Sequence, residues 1–365
     1  MARFSEVFED VTKLGCKIQT ADYQTSGKYP IIDQGQEYIA GYSDKAEGLY
    51  TDVPVVIFGD HTRIVKYVDT PCFLGADGVK LLKPKRTDAD VKYLYYCLCN
   101  AKIPNTGYNR HFKWLKEIEI PLPPIDEQRR IAAVLDRAAA LIDLRKQQLA
   151  KLDELVKARF VEMFGEPESN PFGWNKQPLS TVIQTANNGM ARRGNDENGS
   201  IVMRLVELQD GYIDYSAPNR ILLSEKEKER YLLKEQDFLF ARVNGNPENV
   251  GRCAVFHDID EPVYHNDHII RVHFDDTIIE GTFASALLNS SYGKRQLKGQ
   301  IKTSAGQYTV SQDGIGAIEA ILPPLELQNQ FAAFVKQLDK SKAVVQKSLD
   351  EAQLLFDSQM QKYFG

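Results

Sequence analysis

Two stretches of the chain share one spacing of apolar positions. The first runs Ile131, Leu135, Ala138, Ile142, Arg145, Leu149, Leu152, Val156, Phe160, Met163, and the second runs Phe331, Val335, Leu338, Lys342, Val345, Leu349, Ala352, Phe356, Met360, Tyr363. Steps of four and three alternate, with one extra four near the end. That spacing keeps apolar side chains on a single seam of a supercoiled helix. Each seam carries one basic intrusion, Arg145 or Lys342. Neither stretch has an internal Gly or Pro to break it, so each predicts a helix of about 36 residues, roughly 54 Å long. A lone helix of this length needs a partner for its stripe. The two stretches supply one another, and the long intervening chain allows an antiparallel coiled coil.

The repetition extends beyond the seam. Leu122-Pro123-Pro124 matches Leu322-Pro323-Pro324, Gln128 matches Gln328, Ala132-Ala133 matches Ala332-Ala333, and Phe164-Gly165 matches Phe364-Gly365, without a gap. Upstream, Tyr108 pairs with Tyr308 and Ile118-Glu119 with Ile318-Glu319. A shared frame over this length argues for an internal duplication. The prolines stand before the first turn, where a missing N–H costs least, and Asp126, Glu127 and Glu326 place acid at the positive helix end. More faintly, Pro71, Phe73, Asp77 and Val79 correspond to Pro262, Tyr264, Asp267 and Ile269. Strand patterns mixed with short helical stretches, "DVKYLYYCLCNA" and "TFASALLNSSYGKRQLKG", make each globular part mixed α/β. "FGEPESNPFGW" reads as a joint. The expected order is globular domain 1–120, helix 121–165, globular domain 166–320, helix 321–365: two α/β domains in pseudo-twofold tandem repeat, separated by two long helices.

Composition narrows the class. The 365 residues are 43% hydrophobic, enough for real cores, and no apolar run is long enough for a membrane span. "MARFSEVFED" carries acids where a signal peptide needs an apolar stretch, so a cytoplasmic location without membrane attachment is expected. Five cysteines without paired ligand spacing are read as reduced thiols. The net charge of −5 does not advertise nucleic-acid binding, although the distribution of charge matters more than its sum.

A globular domain, L-P-P-[IL]-x-x-Q, a long helix ending in F-G, then N-P-x-G-W and a second cycle: in this combination the whole chain resembles the specificity subunit of type I restriction–modification enzymes. "SGKYPIIDQG", "RLVELQDGYID" and "YLLKEQDFLFARVNGN" are similar to that family's patterns. The resemblance implies two target-recognition domains, each reading half of a bipartite, asymmetric site in double-stranded DNA. It implies helices that pack antiparallel as a spacer and dock two methyltransferase subunits, with restriction subunits able to join. It implies no cofactor on this chain, with adenosylmethionine, ATP and Mg on the partner subunits.

The chemistry in the sequence agrees with a non-catalytic role. "NPFGW" lacks the second Pro of a methyltransferase loop and reads as linker, and "GIGA" is a bare G-x-G without a strand–helix context. "SEKEKER" reads as an exposed charged helix, and His265 and His268, three apart, read as structural or DNA-facing rather than as metal ligands. DNA contacts are then expected from loops, through side chains able to reach base edges or phosphates. "GDHTRIVK" holds His61, Arg63 and Lys66; "NTGYNRHFK" holds Tyr108, Asn109, Arg110, His111 and Lys113; "ARVNGNPENVGR" holds Arg242, Asn244, Asn246 and Arg252. "NGMARRGN" adds Arg192 and Arg193, and "KTSAGQYT" adds Lys302, Gln307 and Tyr308. The competing expectation is a coiled-coil scaffold or adaptor whose globular parts bind proteins or peptides; salt-steep, sequence-selective DNA affinity separates the two.

Overall fold

The computed structural model describes residues 1–75, 77–107, 109–304 and 306–365. Both long helices form where the seams predict them, Ile125–Phe164 and Leu325–Phe364, 40 residues each. They begin directly after the proline pairs. The reason lies in the shared glutamine. Gln128 and Gln328 are fully buried. Gln128 donates to the carbonyls of Pro123 (2.8 Å) and Asp88 (3.0 Å) and accepts the Asp90 N–H (2.9 Å). Gln328 donates to Pro323 (2.7 Å) and Ile278 (3.0 Å) and accepts the Glu280 N–H (2.8 Å). Asp90 and Glu280 in turn cap the short helices Val91–Cys99 and Gly281–Asn289. One side chain thus ties the start of each long helix to the start of a domain helix. The first long helix stops at Gly165, whose φ of 74° suits glycine, and Trp174 Nε1 donates to the Phe164 carbonyl (2.9 Å).

The chain divides into two compact units, Met1–Gln147 with Gln346–Gly365, and Gln148–Val345. Each takes part of both long helices. In the first unit, Ile131 and Leu135, near the start of one helix, share a core with Met360 and Phe356, near the end of the other. In the second unit, Phe160 and Phe164 pack edge-on against Phe331, and Lys342 pairs with Asp153 at 2.7 Å. Within each unit the start of one helix meets the end of the other, so the packing is antiparallel. Every seam position is buried or half-buried: Ile131, Leu135, Ala138, Ile142, Phe160, Phe331, Ala352 and Met360 fully, the rest partly. The basic intrusion at Lys342 is accommodated by its carboxylate partner rather than by apolar burial.

The globular parts repeat one topology. A four-stranded antiparallel sheet has the order Phe8–Asp10, Val79–Pro84, Val55–Gly59, Val65–Val68 in the first unit, and Ile183–Asn188, Ile269–Phe274, Phe238–Ala241, Cys253–Val255 in the second. A three-stranded sheet with one parallel pair follows in each, Gly41–Ser43, Tyr29–Ile32, Phe73–Leu74 and Arg220–Ile221, Ser200–Met203, Val263–His265. A short ribbon joins the domain's first strand to the residues before the prolines, Ala2–Arg3 with Glu119–Ile120 and Asn175–Pro178 with Glu319–Leu322. The ladders bear on the sequence correspondence. Phe73 pairs with Ile31 as Tyr264 pairs with Val202, the next carbonyls, Ile32 and Met203, accept the N–H groups of Gly75 and Asn266, and Val79 and Ile269 hold the same place, in keeping with that correspondence. "SEKEKER" forms the helix Glu225–Tyr231 capped by Ser224. The stretch after Glu280 splits into Gly281–Asn289 and Ser291–Gly299, with Ser290 extended between them and capping the second. No helix is long and apolar enough to cross a membrane among the described residues.

Candidate nucleic-acid interface

In the first unit the loops singled out by sequence converge on Asp60, at the end of the central strand Val55–Gly59. Its N–H donates to the Gly78 carbonyl (2.6 Å), its carbonyl accepts the His111 N–H (2.7 Å), and its Oδ1 accepts the Phe112 N–H (2.7 Å). The hairpin tip, the turn before Val79–Pro84 and the segment 103–112 are thereby fastened together. His61 Nδ1 lies 3.2 Å from the Asn109 carbonyl, and its N–H donates to Gln34 Oε1 (3.1 Å). Gln34 Nε2 continues the chain to the Asp77 carbonyl (3.0 Å). Arg63 holds a left-handed φ of 64° and donates from Nη1 to the Ile103 carbonyl (3.3 Å). That conformation is unfavourable for a side chain with a Cβ, and such positions gather at functional sites. Asn109, Arg110 and Lys113 are exposed, the last with its ammonium 4.1 Å from the Trp114 ring. Tyr108 lies outside the described residues.

Two residues of this set do not face solvent. Lys66 is 5% exposed and donates to the Glu37 carbonyl, with Asp33 at 3.6 Å. Burial pushes its ammonium below the usual lysine range, against the pull of Asp33. The sequence treats it as a loop cation, but it belongs to the strand Val65–Val68 and points inward. His111 is fully buried, with Nδ1 3.0 Å from the Asp60 carbonyl. Both are fastenings of the fold rather than contact residues.

The second unit repeats the frame with other side chains. Arg242 stands where Asp60 stands, one residue beyond the central strand. Its N–H donates to the His268 carbonyl (2.7 Å) and its carbonyl accepts the Val310 N–H (2.9 Å). A small sheet, Val243–Asn244, Gln307–Thr309, Lys302–Ser304, then brings two distant loops together, with Asn244 opposite Tyr308 and Lys302 opposite Thr309. Lys302 and Gln307 are exposed. Arg193 reaches the same place: Nη2 donates to Asp267 Oδ1 (2.6 Å) and His268 Nε2 (3.0 Å), while Arg242 Nη1 donates to the Asp267 carbonyl (3.0 Å). Burial, then the charges of Arg193 and Arg242, lower the His268 pKa against the pull of Asp267. The neutral ring can therefore accept from Arg193.

Several candidates of the second unit have partners of their own. Arg192 pairs with Glu227 (3.0 and 3.1 Å), and this partner together with the Ser224 cap holds the Glu227 carboxyl down at about 2. Arg252 donates to Gln209 (3.2 Å). Asn244 and Asn246 use their carbonyl oxygens to accept the N–H groups of Asn246 and Glu248, shaping the loop. Sequence reasoning passed over Lys17, Gln34, Asp60 and Asp77. The aligned Asp77 and Asp267 are a usable signal, and Gln34 lies in "SGKYPIIDQG", whereas nothing local marks Lys17. Among the described residues no group of three His, Cys, Asp or Glu side chains could hold a metal ion. His265 is buried, with Nδ1 3.2 Å from the Tyr231 carbonyl.

A family model described as the type I restriction modification DNA specificity domain matches residues 2–154 and again 174–353. The specificity subunit of the type I restriction enzyme StySPI from Salmonella potsdam is 29% identical over 247 residues, covering 64% of this chain and 53% of that one. The EcoKI specificity subunit from Escherichia coli K12 is 25% identical over 252 residues, again 64% and 53%. The chain thus spans about half the length of these curated relatives. The S subunit of the type I restriction-modification system of M. genitalium superimposes with a TM-score of 0.63 at 19% identity, covering 100% of this chain and 95% of that one, a likeness of fold. With both halves matched and the same frame built twice, the chain belongs to the type I restriction-modification DNA specificity family.

Proposed function

We propose that this chain is the DNA sequence-specificity subunit of a type I restriction–modification complex. It reads a bipartite, asymmetric site in double-stranded DNA, one half per recognition domain, with the domains at 1–120 and 166–320 and the helical segments 121–165 and 321–365 between and after them. The helices dock two methyltransferase subunits, which restriction subunits can join in the cytoplasm. Those partners bring adenosylmethionine, ATP and Mg, and this chain performs no chemistry itself. One observation carries the reading. The same backbone frame closes around Asp60 and around Arg242, yet the side chains mounted on it differ in kind and charge. A constant frame with variable polar side chains suits two readers of different base sequences, because base edges are read by side-chain hydrogen bonds while the backbone sets position.

The contact set proposed in the first domain is His61, Arg63, Tyr108, Asn109, Arg110 and Lys113. In the second it centres on Arg193, Arg242, Asn244, Lys302, Gln307 and Tyr308, with Arg192, Asn246 and Arg252 at its margin. The acidic net charge of −5 is compatible with this because partner subunits can supply much of the phosphate clamp. Purified chain with adenosylmethionine and duplex DNA should transfer no methyl groups. The same mixture with the cognate methyltransferase should methylate one defined motif. Methyl transfer by this chain alone, or an identical motif from the methyltransferase without it, would contradict the proposal.

A further inference from the structure

An acid recurs at one point of the frame in both units. Val79 sits opposite Gly59 and Ile269 opposite Ala241, so Asp77 and Asp267 each stand two residues ahead of an equivalent strand position. The main-chain carbonyl of each is bound by a side chain, Gln34 Nε2 on Asp77 (3.0 Å) and Arg242 Nη1 on Asp267 (3.0 Å). The carboxylate of each holds a cation, Lys17 Nζ on Asp77 (3.2 Å) and Arg193 Nη2 on Asp267 (2.6 Å). Both cations come from the same part of the chain. It is the segment that leaves the first strand of the four-stranded sheet and forms a parallel bridge, Lys17 with Leu74 and Met190 with Asn266. Arg193 lies three residues past that bridge and Lys17 at it, so the carboxylate, not the cation's position in the chain, is the fixed point.

Ion pairs as exposed as these, with side-chain exposures of 37% for Lys17 and 50% for Arg193, add little to folding stability. Their recurrence in two diverged halves calls for another account. In each unit the pair adjoins the polar cluster: Asp77 connects through Gln34 to His61, and Asp267 connects to Arg242. A partly exposed cation on a flexible stem, beside base-reading groups, suits a phosphate oxygen. We propose that Lys17 and Arg193 are equivalent phosphate-contacting residues of the two recognition domains, each held by Asp77 or Asp267 until DNA displaces the carboxylate. The inference rests on the DNA-reading function proposed above, and it adds Lys17, which neither composition nor motif marks.

The test is equilibrium binding of the full chain to a mixed-sequence DNA duplex across a salt series. Losing one phosphate contact should flatten the slope of log affinity against log salt by about 0.9, and weaken binding roughly tenfold near 0.1 M salt. Lys17→Ala and Arg193→Ala should each do this equally on any sequence, and Lys17→Arg should restore the wild-type slope. Asp77→Asn should tighten binding at unchanged slope, because DNA no longer competes with a carboxylate; weaker binding by this variant would overturn the idea. If wild-type chain binds with a clear salt dependence while Lys17→Ala keeps both slope and affinity, the inference about Lys17 fails and the DNA-reading function stands. If wild-type chain shows no salt-dependent binding to any duplex, the DNA-reading function itself fails.

Discussion

Gln128 and Gln328 show how single residues govern where elements start. Each is fully buried, and each uses its carboxamide on two carbonyls and one N–H. Replacement by Ala removes three hydrogen bonds at once, at about 1–3 kcal/mol for each group left buried and unpaired. Gln328→Ala should therefore lower the unfolding free energy by several kcal/mol, read as a shifted urea midpoint. A shift near zero would mean that water takes over the site. His265 makes a pH-dependent contribution. Burial, reinforced by Arg271, holds its imidazole neutral with a pKa of about 4, against 6.5 when free. Between these values the unfolded chain binds the extra proton, so stability rises with pH across the window and is lost on acidification. Between pH 7 and 4.5 the wild type should lose about 2 kcal/mol more than His265→Gln, from 1.36 kcal/mol per pKa unit. Equal losses would mean that the ring is not the titrating group.

Among the elements, the long helices were legible because one spacing runs from Ile131 to Met163 and again from Phe331 to Tyr363, and tertiary packing used that stripe. Leu135 and Phe331 are completely buried. Leu135→Ala should cost about 2–5 kcal/mol and Phe331→Ala about 3–5 kcal/mol, by denaturant titration. Val344→Ala, at a position 71% exposed on the same helix, should stay within about 0.5 kcal/mol. Equal effects at all three would argue against a packed seam. The short strands were less legible. Ala2–Arg3, Phe73–Leu74 and Glu119–Ile120 have two residues each, too few to show alternation, and their partners lie far away in sequence. The break at Ser290 is hidden in the sequence because both flanking stretches are helical in pattern; they are separated by the extended backbone of the serine, whose hydroxyl accepts the Gly293 N–H (3.2 Å) and donates to the Leu287 carbonyl (2.6 Å).

Across the whole molecule, the duplication was legible in the sequence, since Pro123, Gln128 and their counterparts recur in frame. The candidate sites were half legible. Loops could be named by their polar side chains, but not which of those the fold would consume. Lys66 and His111 look like loop residues and are interior, while Lys17 looks ordinary and sits on an acid that recurs in both units. Burial of a polar residue depends on partners such as Asp33 and the Asp60 carbonyl that lie tens of residues away, which local pattern cannot show. The long helices each contribute to both units, so under the proposed function they set the separation of the two half-sites. One heptad, about 10.5 Å of helix, inserted into each helix should change the length of the unread spacer in the methylated motif and leave both half-sites intact. Altered half-sites would mean that the helices do more than space.

Under the proposed function each domain reads its own half of the DNA site. Mapping the methylated motif produced by the chain together with its cognate methyltransferase, for wild type, Arg110→Ala and Arg242→Ala, tests it most directly. Arg110→Ala should relax or weaken recognition in one half only, and Arg242→Ala in the other half only, each by about 1–3 kcal/mol if the side chain contacts a base. A continuous motif, or one substitution altering both halves, would contradict independent reading by the two domains.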